Sequence, residues 1–192
     1  MKTEKWYDYL WLTEILYFIL GFFNILFAWL GMIFFVTPLA ISLIQGNKNY
    51  CNKYCGRGQL FTKLGKKYSG NKPLPEFMRT NYFRYGFLLF FMVMFINMLF
   101  TTYLVAAGAK ELSEVVTLLW TFKVPWSFAN HTLVTPWLVQ FVFGFYGVML
   151  TSLILGILTM IFFKPRGFCV YCPMGTMTQG ICKLKQKGVN HG

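Results

Sequence analysis

The organisation of this chain follows from the stretch F-C-V-Y-C-P-M-G at residues 168–175, which echoes the stretch C-N-K-Y-C-G-R-G at residues 51–58. Each stretch holds a pair of cysteines, follows a long apolar segment and leads into a short basic segment. When the two are aligned on their second cysteine, Gly58 falls on Gly175 and Leu60 on Met177. Each stretch is thus a half-site with two thiols, and two half-sites make one four-thiolate site if the chain brings them together.

The composition is that of an integral membrane protein. Hydrophobic residues make up 56% of the 192 residues, aromatic residues make up 20%, and the mean hydropathy is +0.51. A soluble domain is roughly half apolar or less. Three apolar runs each exceed the roughly 20 residues that a helix needs to cross a bilayer. We therefore predict an all-α integral membrane protein that forms a single membrane domain over residues 1–192.

The apolar runs also predict where the helices lie. Glycine, proline and charged residues separate the runs, and residues 1–14 are aromatic and charged, which is typical of an interfacial helix. A short cytoplasmic helix is expected after each cysteine motif, the motifs being residues 51–58 and 169–175. The three predicted transmembrane helices are residues 16–44, 85–107 and 137–163.

The distribution of charge predicts the topology. The formal net charge is +12, and fourteen of the eighteen Lys and Arg residues lie in the segment 46–84 or the tail 164–192. Three spans place these two segments on the same side, and cytoplasmic loops carry the excess of basic residues. We therefore expect a multi-pass protein of the prokaryotic inner membrane, with its N-terminus outside and its C-terminus and both cysteine pairs in the cytoplasm. The second and third spans lack acidic residues, which argues against a proton pump.

Four cysteines are the predicted cofactor-binding and metal-ligating residues: Cys51, Cys55, Cys169 and Cys172. Such a set can hold an iron–sulfur cluster or a structural zinc ion. Pro173 directly after a ligand, the glycines of both motifs and the surrounding positive charge favour a cluster. A disulfide is disfavoured because the cytoplasm keeps thiols reduced. No catalytic residue is predicted.

Other cofactors find less support in the sequence. Cys182 is predicted to be a spare thiol, because Gly65 occupies the matching position in the first half. A haem b is disfavoured because His131 and His191 both lie outside the predicted spans. The chain has no nucleotide-binding glycine fingerprint after a strand, and the binding of a flavin stays undecided.

At these cysteines the chain resembles the polytopic membrane 4Fe-4S proteins of the NapH, NosR and CcoG kind, which carry paired cytoplasmic C-x(2,3)-C-P motifs. The resemblance covers the whole chain in plan and is specific only at residues 51–60 and 168–179. It departs from the family at Gly56, which replaces the expected proline, and no ferredoxin domain follows the last motif. The resemblance implies an electron-transfer protein, rather than a stand-alone catalyst, whose usual next carrier is a separate protein or absent.

The function expected from the resemblance is the relay of single electrons through one [4Fe-4S] cluster. The relay would link a soluble cytoplasmic carrier or the quinone pool to a membrane or outer-facing redox partner. An acidic ferredoxin or flavodoxin is the expected soluble partner, because basic residues flank the cysteines; membrane lipid is a further partner, and nucleic acid is not. These basic residues are Lys53, Arg57, Lys63, Lys66, Lys67, Lys183 and Lys185. The alternative is a structural or assembly subunit of the membrane whose four cysteines hold zinc.

The predicted topology can be tested by labelling single introduced cysteines in intact cells. An impermeant thiol reagent should label a cysteine at position 118, in the predicted outer linker, but not one at position 70, in the basic segment. The reverse pattern would place the cysteine motifs outside, where disulfides become plausible.

Overall fold

The fold is mostly helical in this computed structural model, which describes residues 9–46, 50–113, 115–119, 122–125 and 134–189. The α-helices are α1 (Leu10–Phe23), α2 (Gly31–Gln45), α3 (Gly56–Tyr68), α4 (Glu76–Arg79), α5 (Asn81–Ala106), α6 (Pro136–Phe162) and α7 (Pro173–Val189). Two strands, β1 (Val115–Leu118) and β2 (Phe122–Pro125), form an antiparallel hairpin in which Val116 pairs with Val124.

Three helical segments are long and apolar enough to cross a membrane, as predicted. They are Ile25–Gln45, Asn81–Ala106 and Pro136–Phe162. The second and third agree closely with the predicted spans, because runs of more than twenty apolar residues leave little choice of boundary. The predicted short helices after the cysteine motifs are α3 and α7.

The boundaries of the first span were predicted wrongly. The chain breaks at Asn24, whose backbone is extended (φ −143°, ψ 113°) and whose Oδ1 accepts a hydrogen bond of 3.0 Å from the Leu26 N–H. A short asparagine side chain competes in this way for backbone donors, and it separates α1 from the 3₁₀ segment Ile25–Leu30. The helix expected over residues 1–14 therefore belongs to a longer α1, and residues 1–8 lie outside the described part.

The linker between the second and third spans was expected to lack strands, and its hairpin departs from the all-α prediction. The sequence of β1 is rich in β-branched residues, which favour a strand. Gly147 on α6 allows the hairpin to come close, since a Cβ there would lie only 2.6 Å from the Thr117 carbonyl oxygen. The backbone of Leu119 is also held, through a hydrogen bond of 3.3 Å from its N–H to Thr151 Oγ1.

The chain divides into two compact units. The first comprises the described parts of Met1–Ile15, Ile33–Leu88 and Leu155–Gly192, and it contains both cysteine motifs. The second comprises Leu16–Met32 and the described parts of Leu89–Ile154, with the hairpin and a buried aromatic core. In that core the Tyr146 hydroxyl donates a hydrogen bond of 3.0 Å to the carbonyl of Phe18.

Within the first unit, the end of α3 is fastened to the end of α6. The Gly70 N–H donates to the Ile161 carbonyl at 2.9 Å, and the Ser69 hydroxyl donates to the Phe163 carbonyl at 2.6 Å. These bonds satisfy carbonyls that the last turn of a helix leaves without intrahelical partners. Gly65 packs against Pro165, where a Cβ would lie 2.5 Å from the proline Cβ. The second cysteine motif, which follows α6, is thereby placed beside the helix that follows the first.

Candidate metal centre

The first half-site is formed where α3 begins. Cys55 is the N-cap residue of α3, and its Sγ accepts a hydrogen bond of 3.4 Å from the Gly58 N–H. Cys51 lies in the π-helical turn Tyr50–Tyr54, and its Sγ stands 3.7 Å from Thr178 Oγ1 on α7. The first half-site thus already contacts the helix that carries the second.

The second half-site has the same plan at the start of α7. Cys172 directly precedes Pro173, the first residue of α7, where proline is favoured because the first helical N–H has no intrahelical partner. Burial raises the pKa of the Cys172 thiol, and the backbone N–H groups of Gly175 and Met174 oppose this with a smaller effect, which lowers it. Cys169 lies in the 3₁₀ turn Gly167–Val170 and is exposed. In both halves, the second cysteine is therefore at the positive end of a helix, which favours a thiolate.

The four predicted ligands come together in the first unit. Each of the four thiols lies within electrostatic range of the other three. The pKa of the Cys55 thiol is raised to about 12, chiefly by burial and in part by the neighbouring Cys172 and Cys51, while the Gly58 N–H and Arg57 oppose the shift. Burial likewise raises the pKa of Cys172. A metal must displace protons from these thiols in order to bind.

The arrangement is more open than a site for one ion. Within the described ranges, no three His, Cys, Asp or Glu side chains are grouped so that they could hold a metal ion. All five cysteines are free thiols. The four thiols are neighbours, but they are not closed around a single point at the Zn–S distance of about 2.3 Å.

Glycines leave space between the sulfur atoms. A Cβ at Gly58 would lie 3.7 Å from Cys55 Sγ and 3.8 Å from Cys169 Sγ, so a side chain there would fill the gap between the half-sites. A Cβ at Gly175 would lie 3.8 Å from Cys172 Cβ and 3.6 Å from the Cys169 carbonyl oxygen. The glycines therefore keep side chains out of the space between the half-sites, beside the backbone N–H of Gly58.

A buried ion pair lies next to the thiols. Arg57 donates from Nε to Glu14 Oε1 at 2.8 Å, and its Nη2 is 2.7 Å from the same oxygen. The side chain of Arg57 is 16% exposed and that of Glu14 is 5% exposed. Arg57 also interacts electrostatically with Cys55 and Cys172. The positive charge of Arg57 therefore acts on the neighbouring thiols, and the ion pair with Glu14 fixes the position of the guanidinium.

A pocket of about 340 Å³ opens beside two of the cysteines. It includes both site glycines and two arginines from different segments. The lining residues include Cys51, Cys169, Gly58, Gly175, Arg84 and Arg166. Arg166 is exposed and donates from Nε to Thr62 Oγ1 at 2.8 Å. Every charged residue among those that line the pocket is basic.

An aromatic cluster packs behind the second half-site. Phe168 is 1% exposed and contacts Phe61, Phe87 and Tyr171 with its ring at an edge-to-face angle to each. The Tyr171 hydroxyl shares a hydrogen bond with Thr159 on α6. These rings exclude water from the side of the site that faces the core of the first unit, and they hold the turn that carries Cys169.

The remaining candidates lie apart from the thiols or outside the described residues. Cys182 is buried on α7, and it does not line the pocket. His131 and His191 lie outside the described ranges. Sequence reasoning missed the partnership of Glu14 with Arg57; the signal was an isolated acid in an apolar helix, which requires a cation from elsewhere in the fold.

The described residues form a mostly helical chain with three helices long and apolar enough to cross a membrane, and with four cysteines gathered near the starts of α3 and α7. No protein-family model matches the chain, and no curated protein or solved structure matches it significantly. The resemblance to the NapH, NosR and CcoG kind thus stays a prediction.

The ion pair supports a prediction about stability. Replacing Glu14 by Ala should lower the free energy of unfolding by about 3–5 kcal/mol, because it leaves the Arg57 charge buried without its partner. Changing both residues together, as Glu14→Leu with Arg57→Met, should restore much of the loss. Unfolding of the detergent-solubilised protein by a denaturing detergent measures both effects.

The exposed Glu76 on α4 provides the control. Glu76→Ala should change stability by no more than about 0.5 kcal/mol, as surface substitutions usually do. Equal effects of the substitutions at Glu14 and Glu76 would contradict a structural role for the buried pair.

Proposed function

We propose that this protein is a membrane-bound iron–sulfur protein that relays single electrons, with one [4Fe-4S] cluster held by Cys51, Cys55, Cys169 and Cys172. The observation that carries the proposal is that two distant cysteine pairs meet in one unit with matching geometry. In each pair the second thiol lies at the start of a helix, where backbone N–H groups favour negative charge on its sulfur. When bound, the cluster supplies a centre that gains and loses one electron.

The residues of the chain fit this role in several ways. The N–H groups of Gly58, Met174 and Gly175 stabilise negative charge on sulfur, and the buried Arg57 opposes it with a positive charge. Net charge and hydrogen bonds to sulfur are two of the determinants of a cluster's potential. The aromatic rings behind Cys169 limit access of water, which is a third determinant.

A cluster suits the site better than zinc. A zinc site closes four ligands around one point, whereas a cluster distributes its ligands over several irons. The glycines that keep side chains out of the space between the half-sites support the second arrangement. A zinc-binding or assembly subunit is the competing function, and the metal content of the protein separates the two.

Ligation is tested by replacing each cysteine with Ser and measuring iron and acid-labile sulfide in anaerobically purified protein. We expect the wild type to hold about four irons and four sulfides, since that is the composition of the cluster. Substitution of any of the four proposed ligands should remove most of both. Cys182→Ser is the matched control and should leave them unchanged, because Cys182 lies on the same helix α7 but has no counterpart in the first half-site, where Gly65 stands.

Two outcomes would contradict the assignment. Stoichiometric zinc without sulfide in the wild type would support the competing function. Loss of iron in Cys182→Ser, with retention in Cys51→Ser, would show that the ligand set is wrong.

The proposed relay runs between a soluble cytoplasmic carrier or the quinone pool and a membrane or outer-facing redox partner. We propose that the soluble carrier is an acidic ferredoxin or flavodoxin, and that it docks on exposed lysines near the cysteines. Those with exposed side chains include Lys53, Lys66, Lys67 and Lys183. A positive surface of this kind raises encounter rates with an acidic partner by roughly 10- to 1,000-fold at low salt.

Four of the basic residues expected on this surface have other contacts, and one of them is Lys67, whose Nζ lies 5.3 Å from the ring centroid of Tyr68. Arg57 is buried against Glu14. Lys185 donates from Nζ to the carbonyls of Leu43 and Ile44, at 3.0 and 2.7 Å, where it complements the C-terminal end of α2. The Nζ of Lys63 lies 4.4 Å from the ring centroid of Trp11. The docking surface therefore has fewer freely exposed basic side chains than the number of basic residues near the cysteines suggests.

The docking proposal predicts a rate that depends on salt. Cluster reduction by an acidic ferredoxin should slow as ionic strength rises, and Lys66→Gln with Lys67→Gln should slow it at low salt. Lys110→Gln with Lys123→Gln is the control, since it removes the same charge from the outer linker. A rate that responds neither to salt nor to either pair of substitutions would overturn the docking proposal.

A further inference from the structure

Arg84 brings a positive charge to the pocket beside two of the cysteines. It lies in the first turn of α5, and its half-buried side chain lines the pocket with Cys51 and Cys169. Its Nη2 donates a hydrogen bond to Gln179 Oε1 on α7. Its Nε is buried and has no hydrogen-bond acceptor among the described protein atoms.

The pocket beside Arg84 suits an anionic group. Its charged lining residues, Arg84 and Arg166, are both basic. Arg84 Nε is closed to the pocket, so the other guanidinium N–H groups are the donors left for a group that binds there.

The neighbouring residues hold Arg84 in position for such a group. Gln179 Oε1 accepts a hydrogen bond from one side of the Arg84 guanidinium. Because the guanidinium is planar and rigid, this bond also fixes the directions of its other N–H groups. Arg166 is placed differently, because its side chain is exposed and its Nε is engaged by Thr62. Solvent and salt screen its charge more than that of Arg84.

We infer that Arg84 is a positioning residue that donates a hydrogen bond to sulfur of the bound cluster and raises its reduction potential. The inference rests on the proposed function, since it takes the cluster as the anionic group in the pocket. Reduction adds one negative charge to the centre, and a fixed positive charge nearby favours the more negative state. A hydrogen bond to sulfur acts in the same direction.

The test compares Arg84→Gln and Arg84→Lys with the wild type in detergent. Iron and sulfide report whether the cluster assembles, and a redox titration followed by electron paramagnetic resonance reports its midpoint potential. Arg84→Gln should retain the cluster and lower its reduction equilibrium constant about tenfold, which is 59 mV for a one-electron couple. Arg84→Lys keeps the charge but lacks the fork, so its shift should be smaller.

Arg79→Gln is the matched control, because it removes the same charge from an exposed position on α4. Its potential should equal that of the wild type. An unchanged potential in Arg84→Gln with full cluster content would overturn this inference and leave the proposed function intact. Absence of a cluster from the wild type would overturn both.

A second variant covers the case in which Arg84→Gln does not assemble a cluster. Gln179→Ala leaves the charge of Arg84 in place and removes the acceptor that orients it. It should retain the cluster, with a lower potential and altered resonance positions. A wild-type potential and spectrum in Gln179→Ala would then overturn the role given to Arg84.

Discussion

The fastening of α3 to α6 is the constraint on which the cysteine site depends. The last carbonyls of α6 need donors, and at the edge of a hydrocarbon layer water does not supply them reliably. Gly70 N–H and the Ser69 hydroxyl supply them from the segment that follows α3. The chain that leaves α6 therefore starts beside α3, and only then can Cys169 and Cys172 meet Cys51 and Cys55.

Small residues make this fastening possible. A Cβ at Gly70 would lie 2.8 Å from the Ile161 carbonyl oxygen, and one at Gly65 would meet Pro165 at 2.5 Å. Both contacts are too short for a real side chain, so the backbones approach as they do only because glycine occupies both positions. Gly58 has a different role, since it leaves space between two sulfur atoms and not between two backbones.

The positive charge of the chain serves more than one purpose. Arg57 and Arg84 are partly buried, where the low dielectric constant strengthens the short-range electrostatic interactions of their charges. Lys66 and Lys183 stay exposed, where water and salt screen them and only their summed field acts at a distance. Lys185 holds the end of α2. A net charge of +12 thus does not describe one uniform surface.

The sequence by itself determined that the chain has three helices apolar enough to cross a membrane, the bounds of two of them, the helices after the cysteine motifs and the candidate ligands, because long apolar runs and repeated cysteine pairs are local patterns. The break at Asn24 and the hairpin of β1 and β2 rest on local bonds that the apolar pattern does not reveal. The partners of Glu14, Arg57 and Arg84 were decided only by tertiary structure. Each depends on which atoms meet after distant segments pack, and the energy of a buried donor or charge is set by those neighbours and not by its own residue type.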